Sequence, residues 1–495
     1  MRARDTWVLL ATIVGSSLVF IDGSVVALAL PEIQREFHTS AGNVAWIVEL
    51  YTLVLGSLML LGGALADRYG RKRIFILGAA LFACSSIGCA FAWSIPSMLV
   101  ARTIQGLGGM LLAPASLAIL GDHFSGDARG RAIAAWSAFS ALTSTLGPAL
   151  GGALIDTFGW RSVFWITVPL AALVVVSSLR HVSESRNPDA PRELDLLGAL
   201  LGTLGLGGIT FALIVASSSG WRNPSVDAAA AGGVALLGLF LVRERRARAP
   251  LVPPAIFSSR TFGAINLATL FLYGALGGLF YELPFAMIQA HHYTALQTAF
   301  ATLPMPLALV VLSRAGAMLA RRFGPRLVLT IGPSVVAAGF ALLALLEPRQ
   351  GYVVGFLPGL LGVGLGMGIT VAPLTTTMIG AADAGDVGIA SGINNAVSRI
   401  AGLLAIAALT VLLAALYDRS MNRSLDALHA TAHQRLAAAA QSDRLGGAHF
   451  SDPAIARASI HAFESGFRGV AFACALLAAL AAAVDALGID EAKLR

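Results

Sequence analysis

The chain has 495 residues, 57% of them hydrophobic and only 12% charged, about half the charged share of an ordinary soluble protein, which excludes a water-soluble globule. Roughly 280 apolar residues would furnish some fourteen spans at about 20 residues each. The net charge of +7 is scattered in short basic clusters between apolar stretches, so it reads as membrane topology and not as a nucleic-acid surface.

The first apolar stretch, 7–29, follows Met1-Arg2-Ala3-Arg4, and Ala27-Leu28-Ala29 imitates a signal cleavage site. The run is too long for a signal peptide and contains Asp22, so it reads as a retained first span. Five more follow at 44–66, 74–93, 97–121, 133–154 and 162–179. After a polar linker, two stretches at 196–217 and 226–242 end in the basic segment 243–248. A second set of six lies at 263–287, 299–320, 326–346, 352–378, 389–416 and 467–487. The expected fold is an all-α integral membrane protein of fourteen transmembrane helices. Residues 1–180 form one six-helix bundle, 181–250 a linker with two inserted helices, and 251–495 a second bundle with a partly helical extracellular connector at about 417–466. Cys84, Cys89 and Cys474 fall inside apolar runs and read as small buried hydrophobes.

Two further patterns support this organisation. The segment Gly63-Ala64-Leu65-Ala66-Asp67-Arg68-Tyr69-Gly70-Arg71-Lys72 has a degenerate echo at 317–326, after the second span of the second set. Two homologous halves repeated about an axis along the membrane normal are a transporter architecture. Twenty-one Lys and Arg residues, among them Arg2, Arg186, Arg192, Arg248, Lys493 and Arg495, fall on segments that are cytoplasmic if the N-terminus is inside. Only Arg35, Arg161, Arg222 and Arg349 fall on the short outer loops. The bias predicts both termini in the cytoplasm.

Charged residues inside the spans carry the chemistry. Asp22 in span 1, Glu49 in span 2 and Glu282 in span 9 lie past the midpoints of their spans, roughly 6 to 10 Å outward at about 1.5 Å per residue. A carboxylate there is costly unless it faces a cavity or a partner, which makes a functional site the first reading and a structural hydrogen-bonding role the alternative. Such an acid can bind a proton or a cationic substrate, but not both, and that competition couples their movements. Arg102 in span 4 sits at matching depth and requires a carboxylate partner, Asp22 first. Arg399 in span 13 is nearer the inner surface, where a snorkelling side chain suffices. Gly147-Pro148 with Gly151-Gly152 gives span 5 a bend and a small-residue face for close packing. Asp67 closes span 2 beside Arg68, Arg71, Lys72 and Arg73, whose charges alone would enforce topology.

Taken in order, five segments resemble the major facilitator superfamily, within it the fourteen-span drug:proton antiporters of the quaternary-ammonium and methyl viologen exporter type. They are Phe20-Ile21-Asp22-Gly23-Ser24 continuing to Pro31, the loop from Gly63 to Arg73, Arg102-Thr103-Ile104-Gln105-Gly106-Leu107-Gly108-Gly109, Gly147-Pro148-Ala149-Leu150-Gly151-Gly152, and Gly159-Trp160-Arg161. The resemblance implies proton coupling through Asp22 and Arg102, and an antiporter motif in Gly147, Pro148, Gly151 and Gly152. It also implies a conformational switch in Asp67, Arg68, Gly70 and Arg71 that ties cytoplasmic helix ends together, with Asp67 near the start of span 13, where a helix dipole favours an anion. The second-half echo has Arg321 in place of the aspartate, so the halves cannot share this latch symmetrically.

No G-x-x-x-x-G-K-[ST] loop accompanies either lysine, Lys72 or Lys493, which argues against ATP as the energy source. No H-E-x-x-H or G-x-S-x-G motif points to an enzyme, and His291-His292 lacks ligand spacing. The expectation is therefore a proton-coupled antiporter, not an enzyme, with substrate binding by Asp22, Glu49 and Glu282. It would need no cofactor or metal and bind no nucleic acid. It would act as a monomer in a bacterial cytoplasmic membrane, its partners protons, a lipophilic cationic small molecule and lipid. An exporter of one metabolite or neutral natural product, and a non-transporting receptor, are the alternatives.

Overall fold

A computed structural model describes residues 3–187, 195–221, 223–247, 250–346, 351–382 and 387–490, and contains no strand among them. Arg2, Arg192, Arg222, Arg248, Arg349, Lys493 and Arg495, which enter the charge distribution, lie outside the described residues. The helices are α1 (Ala3–Phe37), α2 (Ala41–Tyr69), α3 (Arg71–Ala90), α4 (Ile95–His123), α5 (Gly126–Phe158), α6 (Ser162–Trp165), α7 (Thr167–His181), α8 (Leu196–Ser219) and α9 (Pro224–Arg246). They continue with α10 (Arg260–Phe285), α11 (Ala295–Thr302), α12 (Pro304–Phe323), α13 (Pro325–Leu345), α14 (Tyr352–Gly355), α15 (Leu357–Gly380), α16 (Val387–Ala427), α17 (Ala432–Ala439) and α18 (Pro453–Gly488).

Among the described residues, thirteen helices are long and apolar enough to cross a membrane. The remaining expected span corresponds to α5, whose 33 residues are ample in length. The protein is an all-α, multi-pass membrane protein. Three of the expected spans are interrupted where proline removes a backbone donor: α6 gives way to α7 ahead of Pro169, α11 to α12 at Pro304, and α14 to α15 ahead of Pro358. Local capping sets several starts. Ser94 accepts from the Ser97 amide in a reciprocal capping box at α4, and Asp452 caps α18, its carboxyl held below the usual range by the Ala454 N–H and the Gln434 amide. The turns that follow the second span of each half pivot on Gly70 (φ 116°) and Gly324 (φ 87°), a backbone region that only glycine enters cheaply.

By internal packing the chain forms two compact units, one of Met1–Phe37, Trp46–Gly207 and Gly232–Leu251, the other of His38–Ala45, Gly208–Ala231 and Val252–Arg495. The inserted helices α8 and α9 contribute to both. In the first unit, α3 packs closely along α4, and α1 packs on α4, α5 and α7, around a core that includes Leu18, Phe75, Phe82, Leu111, Leu112 and Val174. α5 reaches α1 through its small residues. A methyl at Gly147 would come 3.3 Å from Ser24 Oγ, and one at Gly151 would overlap the Val25 side chain; Gly152 is buried beside it and Pro148 half-buried. The glycines thus let α5 close on the turn of α1 that follows Asp22.

In the second unit α13 packs on α15 and α18, and α10 on α16 and α18. The 41-residue α16 and 36-residue α18 are about 60 and 54 Å long at 1.5 Å per residue, well beyond a hydrocarbon core of about 30 Å. Half of the polar stretch at 417–466 is therefore their continuation. Tyr417 is buried between them, its hydroxyl 2.8 Å from Ser459 Oγ, and α17 and a short 3-10 turn at Ser442–Gly447 close the hairpin.

Gly151→Ala should overpack α1 against α5 at a cost of about 1 to 3 kcal/mol and lower the thermal midpoint of the detergent-solubilised protein. Gly23→Ala, whose added methyl meets nothing within 4 Å, should not lower it.

Candidate functional site

The polar cluster of the first unit begins with Arg102, 1% exposed, on the face of α4 turned into the bundle. Its Nη1 donates to both carboxylate oxygens of Asp22 at 2.8 Å, and to Gln105 Oε1 at 2.6 Å; its Nε donates to the Ile47 carbonyl at 2.8 Å. Asp22, 2% exposed on α1, also accepts from Gln105 Nε2 at 3.1 Å, and the same amide donates to Ser86 Oγ on α3 at 2.9 Å. The guanidinium carbon lies 4.3 Å from the centre of the Tyr51 ring of α2. Four helices thus converge on one charge pair. Removing either partner leaves a buried charge unanswered, which costs about 3 to 5 kcal/mol.

Glu49 and Glu282 are buried differently. Glu49, on α2, is fully enclosed, and neither carboxylate oxygen has a hydrogen-bond partner. It lies two residues beyond Ile47, whose carbonyl serves Arg102. Glu282, on α10 in the second unit, is 3% exposed and accepts a single hydrogen bond, from Thr410 Oγ1 of α16 at 3.2 Å. Asp22 is the one of the three acids that is ion-paired.

The loop after α2 holds a second cluster. Asp67 accepts from Arg71 Nε at 2.9 Å and lies 2.9 Å from Arg71 Nη2, and Arg71 Nη1 lies 3.3 Å from Asp122 at the end of α4. The segment after α7 packs over it. Asn187 donates its N–H to the Asp67 carbonyl at 3.0 Å, and Ser185 accepts from the Arg71 N–H at 2.9 Å. Glu184 accepts from the backbone N–H groups of Lys72 and Arg73 at 3.1 and 3.2 Å. It supplies the side-chain cap that Gly70 cannot, at the positive end of the α3 dipole. A Cβ at Gly70 would strike that carboxylate at 2.6 Å. Arg68 points outward, its guanidinium 5.3 Å from the Tyr69 ring centre.

At the opposite end of α1, Arg161 grips Glu36 with two hydrogen bonds, at 2.7 and 3.0 Å, and Trp160 Nε1 donates to the same carboxylate at 2.6 Å. His291 lies 3.8 Å from Glu464, and no group of three or more His, Cys, Asp or Glu among the described residues could hold a metal ion.

A family model described as the Major Facilitator Superfamily matches residues 12–406. The chain belongs to this superfamily. Among curated superfamily relatives, the multidrug resistance protein Stp of Mycobacterium tuberculosis is 33% identical over 428 residues, covering 86% of this chain and 79% of the relative. The methylenomycin A resistance protein of Bacillus subtilis is 34% identical over 404 residues, covering 81% and 86%. Among solved structures, a bacterial homologue of the human lysosomal transporter Spinster, inward-facing and unoccupied, superposes with a TM-score of 0.66 over 98% of each chain at 15% identity, a likeness of fold alone.

A double-mutant cycle on the central pair has a definite expectation. Asp22→Asn and Arg102→Gln, taken singly, should each destabilise the solubilised protein by about 3 to 5 kcal/mol, and together by less than their sum. Additive losses in thermal or denaturant unfolding would mean that the two groups do not stabilise each other.

Proposed function

We propose that the protein expels toxic small molecules from the cell in exchange for protons, by alternating access. The observation that carries this reading is the Asp22–Arg102–Gln105 cluster: a proton on Asp22 replaces a salt bridge that joins α1 to α4, so proton binding can alter helix packing whatever the cargo. That the cargo is a drug is supported by relatives a third identical to this chain and named for drug resistance. Asp22 and Arg102 are then the proton-coupling residues. Glu49 and Glu282, enclosed and without a cationic partner, attract positively charged substrates, and Asp22 adds to that attraction. The Asp67–Arg71 cluster and the Gly147–Gly152 face act on the conformational equilibrium. In this reading residues 1–180 and 251–495 are the two transporting bundles and 181–250 an inserted pair. The protein works without a cofactor, as a monomer, with both termini in the cytoplasm.

A second reading, export of one natural product, is favoured by the relative named for a single antibiotic. Purified protein in liposomes with an imposed pH gradient and no nucleotide tests both. Uphill movement of ethidium, a dicationic biocide and a neutral drug, abolished by a protonophore, is the expected result; movement of one compound alone would favour the second reading. Transport that persists without the gradient would contradict proton coupling. Glu49→Gln and Glu282→Gln should each slow the dication most, by about tenfold or roughly 1.4 kcal/mol, the monocation less and the neutral drug least. Equal losses for all three would remove both residues from substrate binding.

A further inference from the structure

The last helix of each unit's six is finished in the same way. α7 ends at His181, and two cations from other helices take its free carbonyls: Lys72 Nζ donates to the Leu179 carbonyl at 3.0 Å and Arg4 Nε to the His181 carbonyl at 2.9 Å. α18 ends at Gly488, where Arg326 Nε donates to the Ala486 carbonyl at 2.6 Å and Arg260 Nη2 to the Leu487 carbonyl at 3.0 Å. Lys72 and Arg326 occupy equivalent places in the two copies of the loop motif, and Arg4 and Arg260 stand at the starts of α1 and α10. Positive groups at these carbonyls answer the negative ends of the helix dipoles.

The closing residue bonds back identically as well, the Val182 N–H to the Ser178 carbonyl and the Ile489 N–H to the Asp485 carbonyl. Counted back from Leu179 and Ala486, whose carbonyls the motif-equivalent Lys72 and Arg326 engage, Ser178 and Asp485 are equivalent positions. Both are enclosed, and the Ser178 hydroxyl has no partner. The second unit places a carboxyl group there. Asp485 is 1% exposed, and neither of its oxygens has a hydrogen bond, although two guanidinium groups are engaged at the carbonyls of the next two residues. Among the described residues, the charged side chains brought to this end are Arg260 from α10, Arg326 from α13 and Asp490 just past α18, and α16 carries no ionisable group before Arg399. An ionised carboxylate enclosed without a donor is costly, and a bound proton removes that cost.

We propose that Asp485 is a proton-binding site of this transporter. It holds a proton while Arg260 and Arg326 seal the end of α18. When those cations leave the α18 carbonyls, the O–H bond breaks, the proton passes to water on that side, and the carboxylate becomes the counter-ion of a freed guanidinium. The use of this proton in export rests on the antiport proposed above; the protonation itself rests on the enclosure of Asp485 and the arginine pair beside it.

Infrared difference spectra of the purified full-length protein between about pH 5 and about pH 9 test the protonation directly. Wild type should show a protonated-carboxyl C=O band, lost on alkalinisation, with a component that both Asp485→Asn and Asp485→Ser lack and that Glu49→Gln and Glu282→Gln keep; the serine variant reproduces the residue that the first unit carries at this position. An unchanged band in both variants overturns the proposal. In liposomes, export by Asp485→Ser should vary less than about twofold with pH on the cytoplasmic side, where wild type varies about tenfold, the change in protonated fraction per pH unit above a group's pKa. A lost band with a wild-type pH profile overturns the release step. A wild type that exports without any proton gradient overturns the antiport instead, and the spectra then decide Asp485 alone.

Discussion

A guanidinium enclosed among apolar helices has to be answered by opposite charge and by hydrogen-bond acceptors, and in the first unit that requirement organises four helices at once. Asp22 supplies the charge from α1, the Ile47 carbonyl of α2 and the Gln105 side chain of α4 supply further acceptors, and Ser86 of α3 completes the set through Gln105. Such a pair contributes little net stability compared with well-packed hydrophobes, while its rupture is expensive. That asymmetry suits a switch. Neutralising Asp22 with a proton turns a bonded pair into an unanswered cation, and the helices must rearrange to relieve it.

The two units share a plan and differ in chemistry. Both turn on a left-handed glycine after their second span, and both seal their final helix with two cations drawn from the first and third helices. Where α1 and α4 are joined by an ion pair, α10 and α16 are joined by hydrogen bonds alone, Asn394 donating to Asn266 and Thr269 at 3.2 and 3.0 Å and Thr410 donating to Glu282 at 3.2 Å. The acidic loop cluster around Asp67 has no second copy, because Arg321 stands in the equivalent place.

Much of the arrangement is legible in the amino-acid order, since apolar runs of membrane-spanning length define most of the helices and isolated charges inside them are too costly to be incidental. Depth along the helices places Asp22 among the acids that can partner Arg102. Gln105 is also legible in principle, three residues beyond Arg102 and hence on the same face of α4. Depth does not reveal facing, so nothing in the sequence separates the paired Asp22 from the unpaired Glu49. Glu184 caps α3 from 112 positions away, a tertiary contact that local pattern cannot signal. Asp485 reads as the polar border of an apolar run until the equivalence with Ser178 is seen. The stretch at 417–466 reads as a connector because its composition is polar, yet Tyr417, Met421 and Leu425 keep a helical spacing that buries one face.

The central claim is that protonation of Asp22 couples the gradient to transport without being needed for movement of substrate down its own gradient. Substrate counterflow and pH-driven uphill export, measured on the same liposomes containing Asp22→Asn, separate the two. Counterflow that persists while uphill export is abolished for every substrate is the predicted result; uphill export at the wild-type rate in this variant would contradict the account.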